Sequence, residues 1–294
     1  MAGLSERAGP ARIRVTANGV RDGFRAVGAG PGDTLFYHGS LSSMGWVDGG
    51  AAAVLEGALA AVAPGGTAAM PTLWYHESSQ NPTDFDPAVS PTWVGRLAET
   101  FRTDPRSRRS NDFSHSISAI GPRAEALTAD HEHTPPLLTP WSLHAFSDGS
   151  PWFRLYQWNA LYAFIGVALN VCTMKHYIEA RCVAESLARA HPDQRGRLAE
   201  RIARLGAPGV WPWIDMVALG ERLAREGLVM TGSIGAAPIR AIRTRPMVDR
   251  TLEILRQAPR DWFKPDYLAW RDACLARDDP AVFSLKSASA SFRI

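Results

Sequence analysis

Residues 33–72 read DTLFYHGSLSSMGWVDGGAAAVLEGALAAVAPGGTAAMPT. Residues 33–38 are mostly β-branched or aromatic, which predicts a short strand. After a loop of small residues, residues 50–62 predict a helix that Pro64-Gly65-Gly66 ends, and residues 67–72 predict a second strand. A strand–loop–helix–strand unit of this kind is typical of α/β folds.

The rest of the chain continues the alternation of strands and helices. Leu161–Val167 is a continuous apolar run closed by a turn, the strongest buried-strand pattern in the sequence. We expect a helix over about residues 174–191 and a further short strand at 228–232. The segment Trp211-Pro212-Trp213 interrupts two Arg-rich helical stretches, and the sequence alone suggests no role for it.

The predicted elements form one domain. No linker separates them, but two long polar loops rich in proline lie at about residues 76–91 and 129–150. Loops of this length in a compact domain are usually functional or disordered. We expect a single α/β domain over residues 1–270, with a mixed sheet flanked by helices, and a C-terminal tail over 271–294.

Composition excludes several classes of protein. The 294 residues are 46% hydrophobic and 21% charged, which is too apolar for a disordered chain. The 32 Lys and Arg against 29 Asp and Glu give a net charge of only +3, so nucleic acid or a membrane is not an expected partner. The N-terminus lacks the apolar core of a signal peptide, and three cysteines form no even disulfide framework. We therefore expect a cytoplasmic protein, and a homo-oligomer is allowed.

The sharpest chemical motif is Thr173–Glu179, TMKHYIE, which follows the predicted buried strand and opens a helix. His176 and Glu179 are i, i+3 neighbours on that helix, so the carboxylate is placed to orient the imidazole as a base. Thr173 is placed to cap the helix with its hydroxyl. A structural cap beside a surface His–Glu pair is the simpler alternative, because such short motifs have weak specificity.

Two further segments are candidate anion sites. Ser40–Gly45 is a small-residue loop before a helix, where backbone N–H groups bind anions, although a plain β–α turn has the same pattern. The run from Arg102 to Ser110 holds four arginines, a pattern typical either of a phosphate site or of a solvated loop.

His131–His133 lacks a third ligand at zinc spacing, so we expect no metal.

The polar loop near residues 77–99 predicts a site for an amine. Glu77, Asp84, Asp86 and Glu99 lie there among aromatic residues. Acidic groups and aromatic rings both attract a cation. Loops of this type are also acidic for solubility alone.

Taken in order, these motifs resemble the aminoglycoside 3-N-acetyltransferase family, acetyl-CoA-dependent enzymes also called antibiotic N-acetyltransferases. The resemblance covers roughly residues 15–260. The stretches that carry it are His38–Trp46, Met70-Pro71-Thr72, Phe85-Asp86-Pro87, Gly95–Arg102, Arg109-Ser110, His115-Ser116, Gly149-Ser150-Pro151, Leu155-Tyr156, Gly166-Val167, Thr173–Glu179, Gly232–Ala236 and Arg245–Asp249.

The resemblance implies a role for each matched residue. His176 would deprotonate the acceptor amine, Glu179 would orient it, and Thr173 would steady the thioester carbonyl during direct attack. The implied contacts to acetyl-CoA are His38, Ser40, Leu41, Ser42, Ser43, Thr72, Arg102, Arg109, Ser110 and His115. The implied contacts to the acceptor are Tyr75, Glu77, Asp86 and Asp148.

The chain departs from the family pattern at three places that should border the acceptor. Asp112-Phe113 stands where many members carry His-Pro, residues 168–172 are more apolar than the usual polar run, and the loop over residues 129–148 does not follow the expected pattern. We therefore expect N-acetylation of an aminoglycoside or, favoured by these departures, another amino sugar. A non-catalytic CoA- or sugar-binding protein, or a different acyl-CoA donor, is the alternative.

Overall fold

A computed structural model describes residues 13–76, 80–203 and 210–276. The strands are β1 (Arg14–Val15), β2 (Thr34–Gly39), β3 (Trp46–Val47), β4 (Thr67–Pro71), β5 (Arg108–Arg109), β6 (Ile117–Ile120), β7 (Leu161–Ile165), β8 (Met230–Ile234) and β9 (Ala237–Arg243). The α-helices are α1 (Ala17–Ala26), α2 (Gly50–Val62), α3 (Arg96–Thr103), α4 (Ala124–Thr128), α5 (Pro151–Gln157), α6 (Met174–Arg189), α7 (Pro192–Ala203), α8 (Met216–Arg225), α9 (Thr244–Gln257), α10 (Pro259–Trp262) and α11 (Pro265–Leu275).

The main sheet has seven strands in the order β5-β6-β4-β2-β7-β9-β8. β2 lies at its centre and is parallel to both β4 and β7, whereas the outer strands pair antiparallel. The sheet is therefore mixed and flanked by helices, which confirms the predicted fold class. The strand–loop–helix–strand unit of residues 33–72 forms β2, α2 and β4.

One inner strand of the sheet, β9, is not predicted from the sequence. β9 pairs along the whole of β7, from Leu161 opposite Arg243 to Ile165 opposite Ile239. Its residues alternate between buried and exposed at Ala237–Arg240, which is a strand pattern. Pro238 and Arg240 are the exposed residues in that pattern, and they masked the apolar signal.

Both faces of the sheet are buried. Along β2, Leu35 and Tyr37 contribute to one apolar cluster, with α1, α2 and α3, and Phe36 contributes to the other. The second cluster includes residues of α5, α6, α8, α9 and α11. Because both faces are covered, all five residues of β7 are buried, which explains its continuous apolar sequence.

The parallel strands β2, β4 and β7 end at one edge of the sheet. Ligands of open α/β folds bind at the carboxyl ends of such strands. The loop at residues 40–45, the loop after Pro71 and the segment that leads into α6 all leave from this edge.

The C-terminal boundary differs from the expected one at residue 270. α11 continues to Leu275, and Trp270 and Cys274 on this helix are fully buried in the core. Residues 271–275 are therefore helix rather than tail, and residues 277–294 lie outside the described part. No helix in the described residues has the length and apolar character needed to cross a membrane.

Candidate active site

His176 and Glu179 lie together on the first turns of α6. Nδ1 of His176 is 2.7 Å from Oε2 of Glu179, whose side chain has no exposed surface. An ionised carboxylate only accepts hydrogen bonds, so Nδ1 carries the proton and donates it. Nε2 keeps its lone pair, and no described residue forms a hydrogen bond with it. The pair is arranged as an oriented base.

Glu179 is held by two further donors from a distant segment. Nε1 of Trp211 donates to Oε2 at 2.8 Å, and the backbone N–H of Ile214 donates to Oε1 at 2.9 Å. A buried carboxylate is costly unless hydrogen bonds replace its lost water. Sequence reasoning missed this role of the Trp211–Trp213 segment, because no local spacing links it to α6.

Aromatic rings surround the imidazole of His176. The ring centre of Trp141 lies 4.2 Å from that of His176, and Trp213 lies 6.2 Å away. Trp213 adopts a left-handed backbone with φ of 44°, which is uncommon for a bulky residue. The loop of residues 129–150 and the segment around Trp213 therefore meet beside the candidate base.

Thr173 does not cap α6 as predicted. Its φ of −66° and ψ of −26° are already helical, whereas a capping residue has extended backbone angles, and its side chain makes no capping bond. No described residue hydrogen-bonds to its hydroxyl. The side chain instead lines the cavity that also contains His176.

We call that space the histidine cavity, of about 920 Å³. It opens where β2 and β7 end, and its walls are mostly apolar and aromatic. The residues that line it are His38, Gly39, Met70, Pro71, Leu73, Tyr75, His76, Trp93, Val94, Gly95, Ala98, Ser114, His115, Trp141, Val167, Asn170, Val171, Cys172, Thr173, Lys175 and His176. Among these described residues none carries a carboxylate, and Lys175 adds a positive charge.

A second space, the loop cavity of about 770 Å³, adjoins the first. Its described lining residues are Gly39, Ser40, Leu41, Ser42, Gly45, Trp46, Val47, Gly49, Gly50, Val94, Gly95, Arg96 and Leu97. Three residues, Gly39, Val94 and Gly95, line both cavities. The two cavities therefore form one cleft, with His176 at one end and the N-terminus of α2 at the other.

Ser43 packs below the loop rather than in the cleft. Its hydroxyl donates to the carbonyl oxygen of Ser40 at 2.7 Å. Gly166 follows β7 with φ of +61°, and a Cβ there would lie 1.9 Å from the Ser43 Oγ. Gly166 is therefore required for the loop to rest on the end of β7.

The two predicted cofactor arginines are occupied by internal partners. Arg102 forms a two-bond pair with Glu99 and donates to the Ala88 carbonyl oxygen. Arg109 donates to the carbonyl oxygens of Thr72 and Ser90, and burial lowers its pKa to about 10. Neither lines the cleft, whereas Arg96 at the start of α3 does.

The other predicted cofactor residues divide between wall and scaffold. Thr72 and Ser110 are fully buried, Thr72 against the hydroxyl of Ser118, and they lie outside both linings. His38 and His115 line the histidine cavity, and burial lowers the pKa of each to about 3. Both rings are therefore neutral at ordinary pH.

Of the predicted acceptor residues, Tyr75 alone lines the cleft among those described. Asp86 is exposed and its carboxylate accepts from the backbone N–H of Ala88. Asp148 is paired with Arg181 at 2.8 Å and is largely exposed. Glu77 lies outside the described residues.

Cys172 lines the cavity beside Thr173, and its side chain is a protonated thiol. Burial raises its pKa to about 12, so it holds its proton at ordinary pH. No group of three His, Cys, Asp or Glu within the described ranges is arranged to bind a metal ion.

The chain is similar to known proteins over most of its length. A family model described as aminoglycoside 3-N-acetyltransferase matches residues 36–256. Aminoglycoside N(3)-acetyltransferase III of Salmonella sp is 32% identical over 181 residues, which is 56% of this chain and only 60% of that relative's length. Aminoglycoside N(3)-acetyltransferase VIII of Streptomyces fradiae is 27% identical over 282 residues, 83% of this chain and 92% of that protein.

The fold also matches solved structures. One described as AAC-IIIb in a binary complex with CoASH superposes with a TM-score of 0.62. It covers 86% of this chain and 98% of the other, at 19% identity, which is a likeness of fold.

Proposed function

This chain belongs to the aminoglycoside 3-N-acetyltransferase family, and from that premise we propose that it moves an acetyl group from acetyl-CoA to a primary amine of a small molecule. The observation that carries the proposal is His176, which lines the cleft, has Nδ1 fixed by Glu179 and has no described hydrogen-bond partner at Nε2. An amine is mostly protonated at neutral pH, and only its free form attacks a thioester. Removing that proton is the work of an oriented base.

The cleft fits a long acyl donor. The loop cavity offers the start of α2, where Gly49 and Gly50 line the space and free backbone N–H groups attract anions. Arg96 adds a positive charge, and no described carboxylate is paired with it. These groups would bind the phosphates of CoA, and the passage at Gly39 and Gly95 would lead its thioester arm towards His176.

Thr173 would assist at the reacting carbonyl. Its hydroxyl is in the same cavity as His176 and has no described hydrogen-bond partner. A hydroxyl aimed at a carbonyl oxygen lowers the barrier by stabilising the charge that develops there. The protonated thiol of Cys172 supports direct attack by the amine rather than an acyl-enzyme.

The acceptor would be an amino sugar with few charges. Aminoglycosides carry several ammonium groups, which acidic walls would attract. The described walls of the histidine cavity hold no carboxylate, and they hold Lys175 together with the aromatic rings of Tyr75, Trp93 and Trp141. An acceptor with one ammonium group, which aromatic faces can bind, suits this site better than a polycation.

A thiol-release assay tests the proposal. Acetyl-CoA is mixed with the enzyme and, in turn, with aminoglycosides, simple amino sugars and nucleotide amino sugars. We expect free CoA to appear with a singly charged amino sugar at a higher kcat/KM than with any aminoglycoside. Binding of acetyl-CoA without thiol release across the panel would contradict the proposed transfer, and higher kcat/KM with aminoglycosides would contradict the acceptor class.

A further inference from the structure

His38 and Thr173 are joined through one buried tyrosine. The hydroxyl of Tyr162 lies 2.6 Å from Nε2 of His38, and the backbone N–H of Thr173 donates to the same hydroxyl at 3.1 Å. Both His38 and Thr173 line the histidine cavity. The tyrosine therefore links the imidazole of β2 to the start of the helix that carries His176.

The acceptors within reach of the Tyr162 hydroxyl assign the tautomer of His38. A phenol has one proton to donate and two positions that accept. The backbone N–H of Thr173 donates to the Tyr162 oxygen, and burial raises the pKa of Tyr162, so the phenol stays protonated. The phenol proton goes to Nε2 of His38, because an imidazole nitrogen accepts more strongly than the nearby thiol of Cys172. With Tyr162 donating to Nε2, Nδ1 of His38 carries the ring's own proton.

The ring of His38 is also held rigidly and kept neutral. It stacks on Phe164, with 5.7 Å between ring centres and 4° between planes, and its edge meets Phe36. Burial lowers the pKa of His38 to about 3. No described residue forms a hydrogen bond with Nδ1. The cavity wall therefore presents a fixed N–H donor without a protein partner.

We propose that Nδ1–H of His38 donates a hydrogen bond to the carbonyl oxygen of the bound thioester, as a second donor beside the hydroxyl of Thr173. This inference rests on the proposed acetyl transfer. It assigns His38 to the reacting group itself, rather than to the phosphates or the arm of CoA. A neutral imidazole suits this task because it donates without bringing a charge that would repel an incoming ammonium group.

Acetyl transfer forms one C–N bond and breaks one C–S bond. The amine nitrogen forms the new C–N bond while the carbonyl electron pair moves to oxygen, where His38 and Thr173 donate. An acceptor that arrives as an ammonium ion first passes one proton through Nε2 of His176 to solvent, and Nε2 then takes the second proton, which the nitrogen loses after it attacks. When the carbonyl forms again, the C–S bond breaks, and the departing thiolate receives that proton from His176.

Infrared spectroscopy of the bound acyl donor tests the contact without any acceptor. Acetyl-CoA labelled with ¹³C at the carbonyl is bound to the wild type, to His38→Ala and to His38→Asn, whose amide nitrogen can occupy the place of Nδ1. A hydrogen bond lowers the carbonyl stretching frequency. We expect the lowered frequency in the wild type, its loss in His38→Ala and its partial return in His38→Asn.

Kinetics then separate this role from simple binding. We expect His38→Ala to lower kcat about 100-fold or more, as loss of one oxyanion donor does, with the Kd of acetyl-CoA changed less than threefold. His38→Asn should recover at least tenfold of the lost kcat. Equal carbonyl frequencies in wild type and His38→Ala, or a raised Kd with unchanged kcat, would overturn the inference while leaving acetyl transfer intact. Failure of the wild type to bind acetyl-CoA would reject the proposed function itself.

Discussion

Nδ1 of His176 lies 2.7 Å from Oε2 of Glu179, and that carboxylate is completely buried. Three donors converge on its two oxygens, from His176, Trp211 and the backbone of Ile214. The carboxylate is thus satisfied as an anion without water. This arrangement leaves Nε2 of His176 as the one nitrogen of the ring that can accept a proton from a ligand in the cleft.

Glu179→Gln should damage activity more than acyl-donor binding. The amide would place an N–H₂ group among three donors, and it can donate to Nδ1 and so shift the imidazole proton to Nε2, where it blocks the base. We expect kcat to fall about 100-fold or more, with the Kd of acetyl-CoA within threefold of the wild type.

Glu185→Gln is the matched control, since Glu185 lies on the same helix in a partly exposed pair with Arg256. It should leave kcat within twofold. An active Glu179→Gln enzyme would show that the buried carboxylate does not set the state of His176.

Cys172→Ser should remain active. Burial raises the pKa of Cys172 to about 12, so the thiol is a poor nucleophile at pH 7. We expect kcat within about fivefold of the wild type. Mass spectrometry of the wild type quenched during turnover should find no added acetyl group, and an acetylated peptide containing Cys172 would disprove direct attack.

Arg96→Ala should weaken acetyl-CoA binding. Arg96 lines the loop cavity without a described ionic partner, and a charge-assisted hydrogen bond contributes about 1.5–3 kcal/mol. We expect the Kd from calorimetry to rise about tenfold or more. Arg197→Ala is the control, because Arg197 is exposed on α7 and lines neither cavity.

Arg109→Ala should behave differently from Arg96→Ala. Its guanidinium serves the carbonyl oxygens of Thr72 and Ser90 and the hydroxyl of Ser116, so its loss should lower Tm with little change in Kd. The opposite pattern, with Arg109 controlling Kd and Arg96 without effect, would return the phosphate site to the Arg102–Ser110 run.

The free energy of unfolding should fall as pH is lowered below 6.5, because His115 is buried and neutral in the folded chain. Burial lowers the pKa of His115 to about 3, whereas an unfolded histidine titrates near 6.5. Between those values the unfolded chain binds a proton that the folded chain does not, so the free energy of unfolding falls by up to about 1.4 kcal/mol per pH unit as pH drops from 6.5. Denaturant unfolding at pH 7 and pH 5 measures this loss.

Replacing His115 by Asn should reduce the loss of stability between pH 7 and pH 5. The same replacement at the exposed His133 serves as the control and should leave that loss unchanged. An equal loss in wild type and His115→Asn would mean that His115 does not contribute to it.

Local patterns predicted the elements that depend on local physics. Leu161–Val167 is apolar without a break because β7 is buried on both faces, and the spacing of His176 and Glu179 places them on adjacent turns. The fold class and the His176–Glu179 pair could be predicted from these features. β9 could not be predicted because Pro238 and Arg240 are exposed and interrupt its apolar residues.

Partners that come from distant segments could not be predicted. Trp211 and Ile214 reach Glu179 across more than 30 residues, and no spacing in the sequence records that contact. For the arginines, the sequence pattern suggested a contact that the structure does not show. A cluster of cations suggests an anion site, but only the structure reveals that Arg102 and Arg109 already have partners whereas Arg96 lines the cleft.

The most direct test of the account is the rate of thiol release by His176→Ala. The variant is compared with the wild type at saturating acetyl-CoA, with the best amine acceptor, and its Kd for acetyl-CoA is measured in parallel. We predict a kcat lower by about 10²- to 10⁴-fold with a Kd within threefold of the wild type. Turnover within a few-fold of the wild type would contradict the assignment of His176 as the base.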